Sequence, residues 1–202
     1  MAETSVAGHK LPAYILQLPE SVISVFIAAT ETATLHRYER QGGGLLRRED
    51  RYMSVGENGV GKQRAWDRRT PLGIYFANDQ LDTSRMHEKY GVTAFPLDYP
   101  NAWDEFNERT GDGIWIHGMA RGGGRRPPLD TDGCIALPND ELLELENYLQ
   151  LLTTPVIITR RITWLSPTEV KAARDEFSAA LDTWVRSFRD GDWHRYHLNR
   201  PL

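Results

Sequence analysis

Two apolar stretches carry the chemistry of this chain, Gly113-Ile114-Trp115-Ile116-His117-Gly118 and Thr131-Asp132-Gly133-Cys134-Ile135-Ala136-Leu137. Each contains a short run typical of a strand. His117 ends the first run, and Cys134, the only cysteine, precedes the second. The loop between them is rich in Gly, Arg and Pro, so the chain can turn back on itself. An imidazole in reach of a thiol can deprotonate it near neutral pH, and the thiolate is a strong nucleophile. The pattern therefore predicts a cysteine acyl-transfer enzyme.

A second interpretation of the same two residues is structural. Most free cysteines are small buried apolar residues, and a histidine at the end of a strand can be a hydrogen-bonded core residue. A catalytic His and Cys have to be neighbours in space, not in sequence. The residue types alone leave both interpretations open.

Further motifs occur in a fixed order along the chain. They are Val55-Gly56-Glu57-Asn58-Gly59 with Gly61-Lys62, then Arg69-Thr70-Pro71-Leu72-Gly73-Ile74-Tyr75, then Leu97-Asp98-Tyr99-Pro100-Asn101, and finally the His-Gly and Thr-x-Gly-Cys-Ile pair. Together they resemble the YkuD-type L,D-transpeptidases, bacterial enzymes that remodel the peptide stems of peptidoglycan. The similarity covers roughly residues 21 to 160.

Two positions differ from the commonest motif of that family. The commonest family motif has a His directly before the Gly-Cys pair, whereas this chain has Asp132, as in a sub-branch that it resembles. The same motif has an Arg two residues after the Cys, whereas this chain has Ala136. Arg121, Arg125 and Arg126 in the loop are candidates for the missing positive charge. The pair of His117 and Cys134 is intact.

The resemblance implies a mostly β fold with peripheral helices. We expect a YkuD-like β-sandwich catalytic domain over residues 21 to 160, an N-terminal arm over residues 1 to 20, and a C-terminal amphipathic helix within residues 161 to 202. The segment from Trp184 to Tyr196 resembles the opening of a second domain found in some family members with carboxypeptidase activity. Continuation of the natural chain beyond residue 202 is one interpretation of this resemblance, and the sequence leaves it open.

The resemblance also implies roles for individual residues. Cys134 is expected to be the nucleophile and His117 the base, with the Gly118 carbonyl orienting the imidazole and the N–H groups of Gly133 and Cys134 stabilising an oxyanion. The expected substrate-binding residues are Tyr99, Trp115, Arg125, Arg126 and Asp132. We expect no metal and no cofactor.

The implied substrate is a peptidoglycan tetrapeptide stem. An acyl-enzyme would form on Cys134 with release of D-alanine, and an acceptor would then resolve it. The amine of a second stem gives a cross-link, the amine of a wall-anchored protein gives covalent attachment, and water gives trimming. A catalytically inactive wall-binding scaffold is the alternative outside enzyme chemistry.

Composition limits the other functions. The 202 residues carry a formal charge of −4, so the chain has no overall basic field and nucleic acid is not an expected partner. No run of about 20 apolar residues suits a membrane span, and the N-terminus lacks the pattern of a signal peptide. The family resemblance nevertheless implies a periplasmic or cell-envelope enzyme whose export segment is absent from this chain.

Hydrophobic patterning predicts the main elements. Residues 21 to 28 indicate a buried strand, residues 32 to 39 an alternating strand with His36 at the surface, and residues 42 to 44 a hairpin turn. After Cys134 we expect a helix capped by Asn139 or Asp140 and a closing strand over residues 155 to 159. Ser166-Pro167-Thr168-Glu169 is a strong helix start, since Ser can cap and Glu can bond back.

Overall fold

The computed structural model describes residues 10–42, 44–120, 122 and 125–192. These residues form two compact units. One comprises Pro19–Arg161, and the other the described parts of Met1–Leu18 and Ile162–Leu202. The N-terminal arm and the C-terminal extension, which the sequence treats as separate segments, therefore contribute to one unit.

Within the described residues the secondary structure is mainly β. The strands are β1 (Leu11–Pro12), β2 (Ser24–Ala29), β3 (Thr34–Gln41), β4 (Gly44–Tyr52), β5 (Val55–Gly56), β6 (Gly73–Phe76), β7 (Ala94–Pro96), β8 (Trp115–His117), β9 (Leu129–Thr131), β10 (Ile135–Ala136), β11 (Pro155–Thr159) and β12 (Trp164–Leu165). The α-helices are α1 (Ala102–Phe106), α2 (Asn139–Glu146) and α3 (Pro167–Arg189), and short 3₁₀ turns occupy Thr30–Thr32 and Glu88–Tyr90. The predicted mostly β fold with peripheral helices is confirmed.

The larger unit is built on a five-stranded sheet in the order β4-β3-β2-β11-β6. Strand β2 is buried at every position, as its unbroken apolar run predicts, because it lies at the centre of this sheet. It pairs with β3 in antiparallel and with β11 in parallel orientation. The predicted hairpin is confirmed, since β3 and β4 pair up to Gln41 and Gly44.

A second sheet has the order β10-β8-β7 and carries both stretches quoted at the outset. The hydrophobic core joins it to the five-stranded sheet, with Phe26 and Tyr75 from one side and Phe95, Ile116 and Ile135 from the other. Helix α2 adds its own apolar residues to this core. The ends of β8 and β10 are thereby fixed by packing on their buried faces.

The predicted surface position of His36 is wrong. Its exposed fraction is only 8%, and its Nδ1 lies 2.7 Å from Asp50 Oδ1 on the neighbouring strand. Strand β3 does not alternate between wet and dry faces, because residues 35 to 38 are all buried. A buried imidazole needs a hydrogen-bonding partner, and Asp50 supplies it.

The predicted cap of α2 is also wrong. The helix begins at Asn139, and Pro138 occupies the N-cap with no side-chain cap hydrogen bond. The Asn139 amide instead donates to the Met119 carbonyl at 2.9 Å. A tertiary contact therefore competes successfully with the local capping hydrogen bond that the sequence pattern favours.

The smaller unit pairs β1 with β12 and continues into α3. The predicted helix start is confirmed, because Ser166 and Glu169 form a capping box with Pro167 at the first helical position. Within this unit Val170 is buried, whereas Phe177 has an exposed fraction of 54%. The resemblance at Trp184–Tyr196 falls partly outside the described residues. None of the described helices is both long and apolar enough to cross a membrane.

Candidate active site

The parallel pairing of β8 and β10 determines which side chains face one another. Ala136 pairs with His117, and Ile135 pairs with Ile116. Cys134 directly precedes β10 and is only two residues from Ala136, the position that pairs with His117. Both residues line one cavity of about 680 Å³.

His117 is held in a single orientation on the cavity wall. It is 3% exposed, its Nδ1 lies 2.6 Å from the Gly118 carbonyl oxygen, and the ring of Tyr90 packs edge-on against it at 5.3 Å. Burial lowers the pKa of His117 to about 4, helped by the charges of Arg126 and Lys89 and opposed by the Gly118 carbonyl. At neutral pH the imidazole is therefore uncharged, with Nδ1–H donating to Gly118 and Nε2 available as a base.

Cys134 is a neutral thiol at neutral pH. It is 8% exposed, and its Sγ donates to the Gly113 carbonyl at 3.3 Å. Burial raises the pKa of Cys134 to about 11, although the Trp115 N–H and the charge of Lys89 favour the thiolate. The sequence led us to expect a thiolate near neutral pH. The structure differs because removing the thiol from water penalises the charged form more than its neighbours stabilise it.

The pH dependence of alkylation follows from these two pKa values. The rate of iodoacetamide addition to Cys134 should be slow at pH 7 and rise about tenfold per pH unit, without a plateau below pH 10, because only the thiolate reacts. Mass spectrometry of samples quenched at set times between pH 6 and 10 measures this rate, with free cysteine as the control. A plateau near pH 7 would instead show that a thiolate–imidazolium pair already exists.

Two buried threonines hold the turn before Cys134. The Thr131 hydroxyl donates to the Cys134 carbonyl at 2.7 Å and accepts the Gly133 N–H at 3.1 Å. The Thr70 hydroxyl donates to the Gly133 carbonyl at 2.9 Å and accepts the Gly56 N–H. The Gly133 N–H, an expected oxyanion donor, is therefore engaged within the protein in this state. Of the two expected oxyanion donors, the Cys134 N–H therefore remains the candidate.

Asp132 lies in the cavity beside two cations, Lys89 and Arg68, of which sequence reasoning missed Lys89. Lys89 Nζ donates to its carboxylate at 3.2 Å, and Arg68 Nε lies 3.9 Å away. Burial lowers the pKa of Lys89, but Asp132 more than offsets this, so the pKa is raised overall. Lys89 sits in a charged segment that looks solvated in sequence, and no local pattern marks it as part of the site.

The remaining expected substrate-binding residues divide into two groups. Trp115 and Arg126 line the cavity, where Trp115 packs on Tyr90. Tyr99 and Arg125 are not among the residues that line this cavity. Tyr99 is 5% exposed and donates to the Thr110 carbonyl, because its ring is needed in the core. Arg125 lies over the ring of Tyr52, outside the cavity, and Arg121 falls outside the described residues.

Gly118 is enclosed by its neighbours. A Cβ at Gly118 would lie 2.1 Å from Asn139 Oδ1 and 3.1 Å from Gly91 Cα, so a glycine is required there. Its N–H donates to the Tyr90 carbonyl at 3.1 Å. The carbonyl that orients His117 is thereby fixed by β8, α2 and the turn at Tyr90.

A loop over residues 62 to 69 forms the opposite rim, organised by Asp67. The Asp67 carboxylate accepts from the backbone N–H groups of Gln63, Arg64 and Arg69 and from Lys62 Nζ, at 2.8 to 3.1 Å. Burial raises the pKa of Asp67, but these hydrogen bonds outweigh it and lower the pKa to about 2. The rim of the cavity is therefore a defined turn.

Removing the charge of Asp67 should destabilise the larger unit. Asp67→Asn is expected to lower the free energy of unfolding by about 2 kcal/mol at pH 7, since a pKa depressed from about 4 to about 2 is worth that much. The contribution is complete above pH 4 and is lost as the pH falls toward 2. Urea unfolding at pH 7, 4 and 3 measures it, with the exposed Asp79→Asn as control. A deficit that stays constant down to pH 3 would contradict the assignment.

The structure contains no cluster of metal-ligand side chains among the residues that it describes. There, no three His, Cys, Asp or Glu side chains are arranged to hold a metal ion. The chemistry available in the cavity is that of a buried thiol, a neutral imidazole and charged side chains around them.

Two solved structures of other proteins match most of this chain. Among solved structures, Bd1075 of Bdellovibrio bacteriovorus matches with 28% identity and a TM-score of 0.75, covering 93% of this chain and 67% of that one. The K307A mutant of the helical cell shape determining protein Pgp2 from Campylobacter jejuni matches with 26% identity and a TM-score of 0.72, covering 86% and 58%. This chain thus spans roughly three fifths to two thirds of the length of these proteins. A search of curated proteins finds no match.

The family model called YkuD, described as the L,D-transpeptidase catalytic domain, matches residues 23–158. That range contains β2 through most of β11, and with them the five-stranded sheet, the sheet of β10, β8 and β7, and the cavity. The match covers well over half of the chain, so the chain belongs to the YkuD family of L,D-transpeptidase catalytic domains.

Proposed function

We propose that this protein is a peptidoglycan-remodelling cysteine L,D-transpeptidase of the cell envelope that acts on tetrapeptide stems. Residues 21 to 160 form its catalytic domain. The observation that carries the proposal is that Cys134 and His117 line one cavity in a chain of the YkuD family. The similarity to Pgp2, a cell shape determining protein, supports a role in the wall.

The first chemical step needs a change at the thiol. Cys134 Sγ–H must leave the Gly113 carbonyl and turn toward His117, whose Nε2 is unprotonated. As the substrate enters, Nε2 removes the thiol proton and Sγ attacks the carbonyl carbon between the third residue and the terminal D-alanine. Because both groups are neutral at rest, proton transfer accompanies attack.

The second half of the step releases D-alanine. The Cys134 N–H stabilises the oxyanion of the tetrahedral intermediate, and Thr131 and Thr70 keep that peptide unit in place. The C–N bond breaks as His117 returns its proton to the departing amine. A thioester on Cys134 remains and is resolved by the amine of a second stem or of a wall-anchored protein.

Water as the acceptor is the second candidate, giving an L,D-carboxypeptidase. The observation that favours it is the polar lining of the cavity, where four cations and four carboxylates surround the thiol. They are Lys62, Arg68, Lys89, Arg126, Glu57, Asp112, Asp130 and Asp132. A lining of this kind admits water to the thioester.

Purified disaccharide tetrapeptides separate these possibilities. Incubation with the protein followed by mass analysis should show free D-alanine with cross-linked dimers for an amine acceptor, or with tripeptides for water. An intact-mass adduct of a carbapenem on Cys134 would report acylation independently. If neither D-alanine nor an adduct appears in folded protein, the chain is an inactive wall-binding scaffold.

A further inference from the structure

Trp66 is unusual in both its exposure and its backbone conformation. Its exposed fraction is 95%, against 42% for Trp103 and 38% for Trp164. Its φ is +63°, in the left-handed region that a bulky side chain rarely adopts. An exposed aromatic side chain on strained backbone is a feature that folding alone does not favour, and such features concentrate at binding sites.

The turn around Trp66 is fixed. Asp67 accepts hydrogen bonds from Gln63 and Arg64 on the preceding side and from Arg69 on the following side. The Ala65 N–H donates to the Thr110 hydroxyl at 3.3 Å. The backbone at Trp66 is therefore held by hydrogen bonds on both sides of it, so mainly the two side-chain torsions of the indole remain to be ordered when a ligand binds.

Trp66 belongs to the same cavity as the reacting groups. Cys134 and His117 are almost fully buried at its inner end, so Trp66, with nearly its whole side chain in solvent, lies at its outer rim. Arg68 and Glu57 line the cavity as well and pair with each other. The rim thus combines a flat apolar surface with hydrogen-bonding charged groups.

We propose that Trp66 is a stacking platform for a pyranose ring of the glycan strand that carries the stem peptide. This inference rests on the proposed function, which places the D-alanine end of the stem at Cys134. The sugars are attached at the opposite end of the stem and so remain outside the buried part of the cavity. A pyranose has an apolar C–H face that suits the exposed indole, and hydroxyl groups that suit Arg68 and Glu57.

Binding of stem-free glycan strands tests the proposal without turnover. In a Cys134→Ala background, Trp66→Gly should weaken glycan binding in calorimetric titration by about 30-fold, the loss that defines a binding hot spot. Glycine suits the positive φ, so this truncation preserves the backbone. Trp66→Phe should retain most of the binding, and Trp103→Ala, which removes an exposed indole on α1 outside the cavity, should leave it unchanged.

Three results would overturn the proposal. The first is that the Cys134→Ala chain does not bind glycan strands. The second is that the Trp66→Gly derivative binds them as tightly as the Cys134→Ala chain does. The third is that Trp66→Gly weakens binding of a sugar-free tetrapeptide as much as it weakens binding of the glycan. The last result would place the indole on the peptide. Release of D-alanine from sugar-free tetrapeptide by the unmodified chain tests the proposed function separately, so the two failures are distinguishable.

Discussion

Cys134→Ala should lower kcat/KM for D-alanine release from tetrapeptides by roughly 10⁴-fold or more, the scale on which removal of a catalytic nucleophile acts. The chain has no second thiol, so no other cysteine can substitute. His117→Gln should also lower the rate, by about 10²- to 10⁴-fold, because it removes the base that receives the thiol proton. Turnover by the purified variants measures both effects.

The controls for these two variants concern folding. Both residues are buried, so thermal unfolding must show that each variant remains folded at the assay temperature. Asp79→Asn, an exposed substitution in the same unit, should keep full turnover. If folded Cys134→Ala retained more than about a tenth of the activity, the thioester mechanism would be wrong.

Gly133→Ala should be strongly damaging, although it adds a single carbon near the site. Gly133 has φ +126°, a conformation strained for any L side chain, and a Cβ there would lie 2.8 Å from the Arg69 carbonyl oxygen. We expect about 3 kcal/mol or more of lost stability from strain and overpacking together. Turnover should fall at least about 100-fold, because the turn sets the direction of Cys134.

Gly59→Ala separates the cost of backbone strain from the cost of overpacking. Gly59 also has a positive φ, of +77°, but nothing lies within 4 Å of the position of its Cβ. It should therefore lose only about 1 kcal/mol, the cost of placing alanine in the left-handed region. Urea unfolding of both variants gives the difference. Equal losses would mean that the Arg69 carbonyl moves aside at no cost and that the turn is less constrained than its contacts indicate.

The two departures from the commonest family motif have different structural settings. Ala136 is fully buried on β10, opposite His117. Among the cations of the cavity, Lys89 is hydrogen-bonded to Asp132 and is close enough to Cys134 to favour its thiolate. The Lys89–Asp132 pair thus joins the residue that replaces the usual His to a cation from a distant segment. Arg126, an expected substitute for the missing Arg, lines the cavity but pairs with Asp130 at 3.3 Å.

Much of the fold follows from short-range signals. Strand β2 is recognisable from its unbroken apolar run, the β3–β4 hairpin from its glycines, and the start of α3 from Ser166 and Glu169. These features depend on neighbours a few residues away, so a linear pattern contains their cause. The order of the motifs around His117 and Cys134 likewise identifies the family without any knowledge of the tertiary structure.

Other features depend on long-range packing, and the sequence patterns did not predict them. His36 is buried because Asp50 of the adjacent strand pairs with it, and Tyr99 turns into the core because Thr110 accepts its hydroxyl proton. Asn139 leaves its capping role for the Met119 carbonyl. In each case the partner is 11 or more residues away, and no local pattern specifies which partner wins.

The sequence by itself determined the family, the mostly β architecture and the identity of the candidate nucleophile and base, because these are written in residue types and their order. Only the tertiary structure decided the resting charge of Cys134 and His117, the engagement of the Gly133 N–H and the exposure of Trp66. The physical reason is that protonation and exposure depend on how much water the folded chain removes from each group. That quantity is a property of the whole packing, and no stretch of sequence contains it.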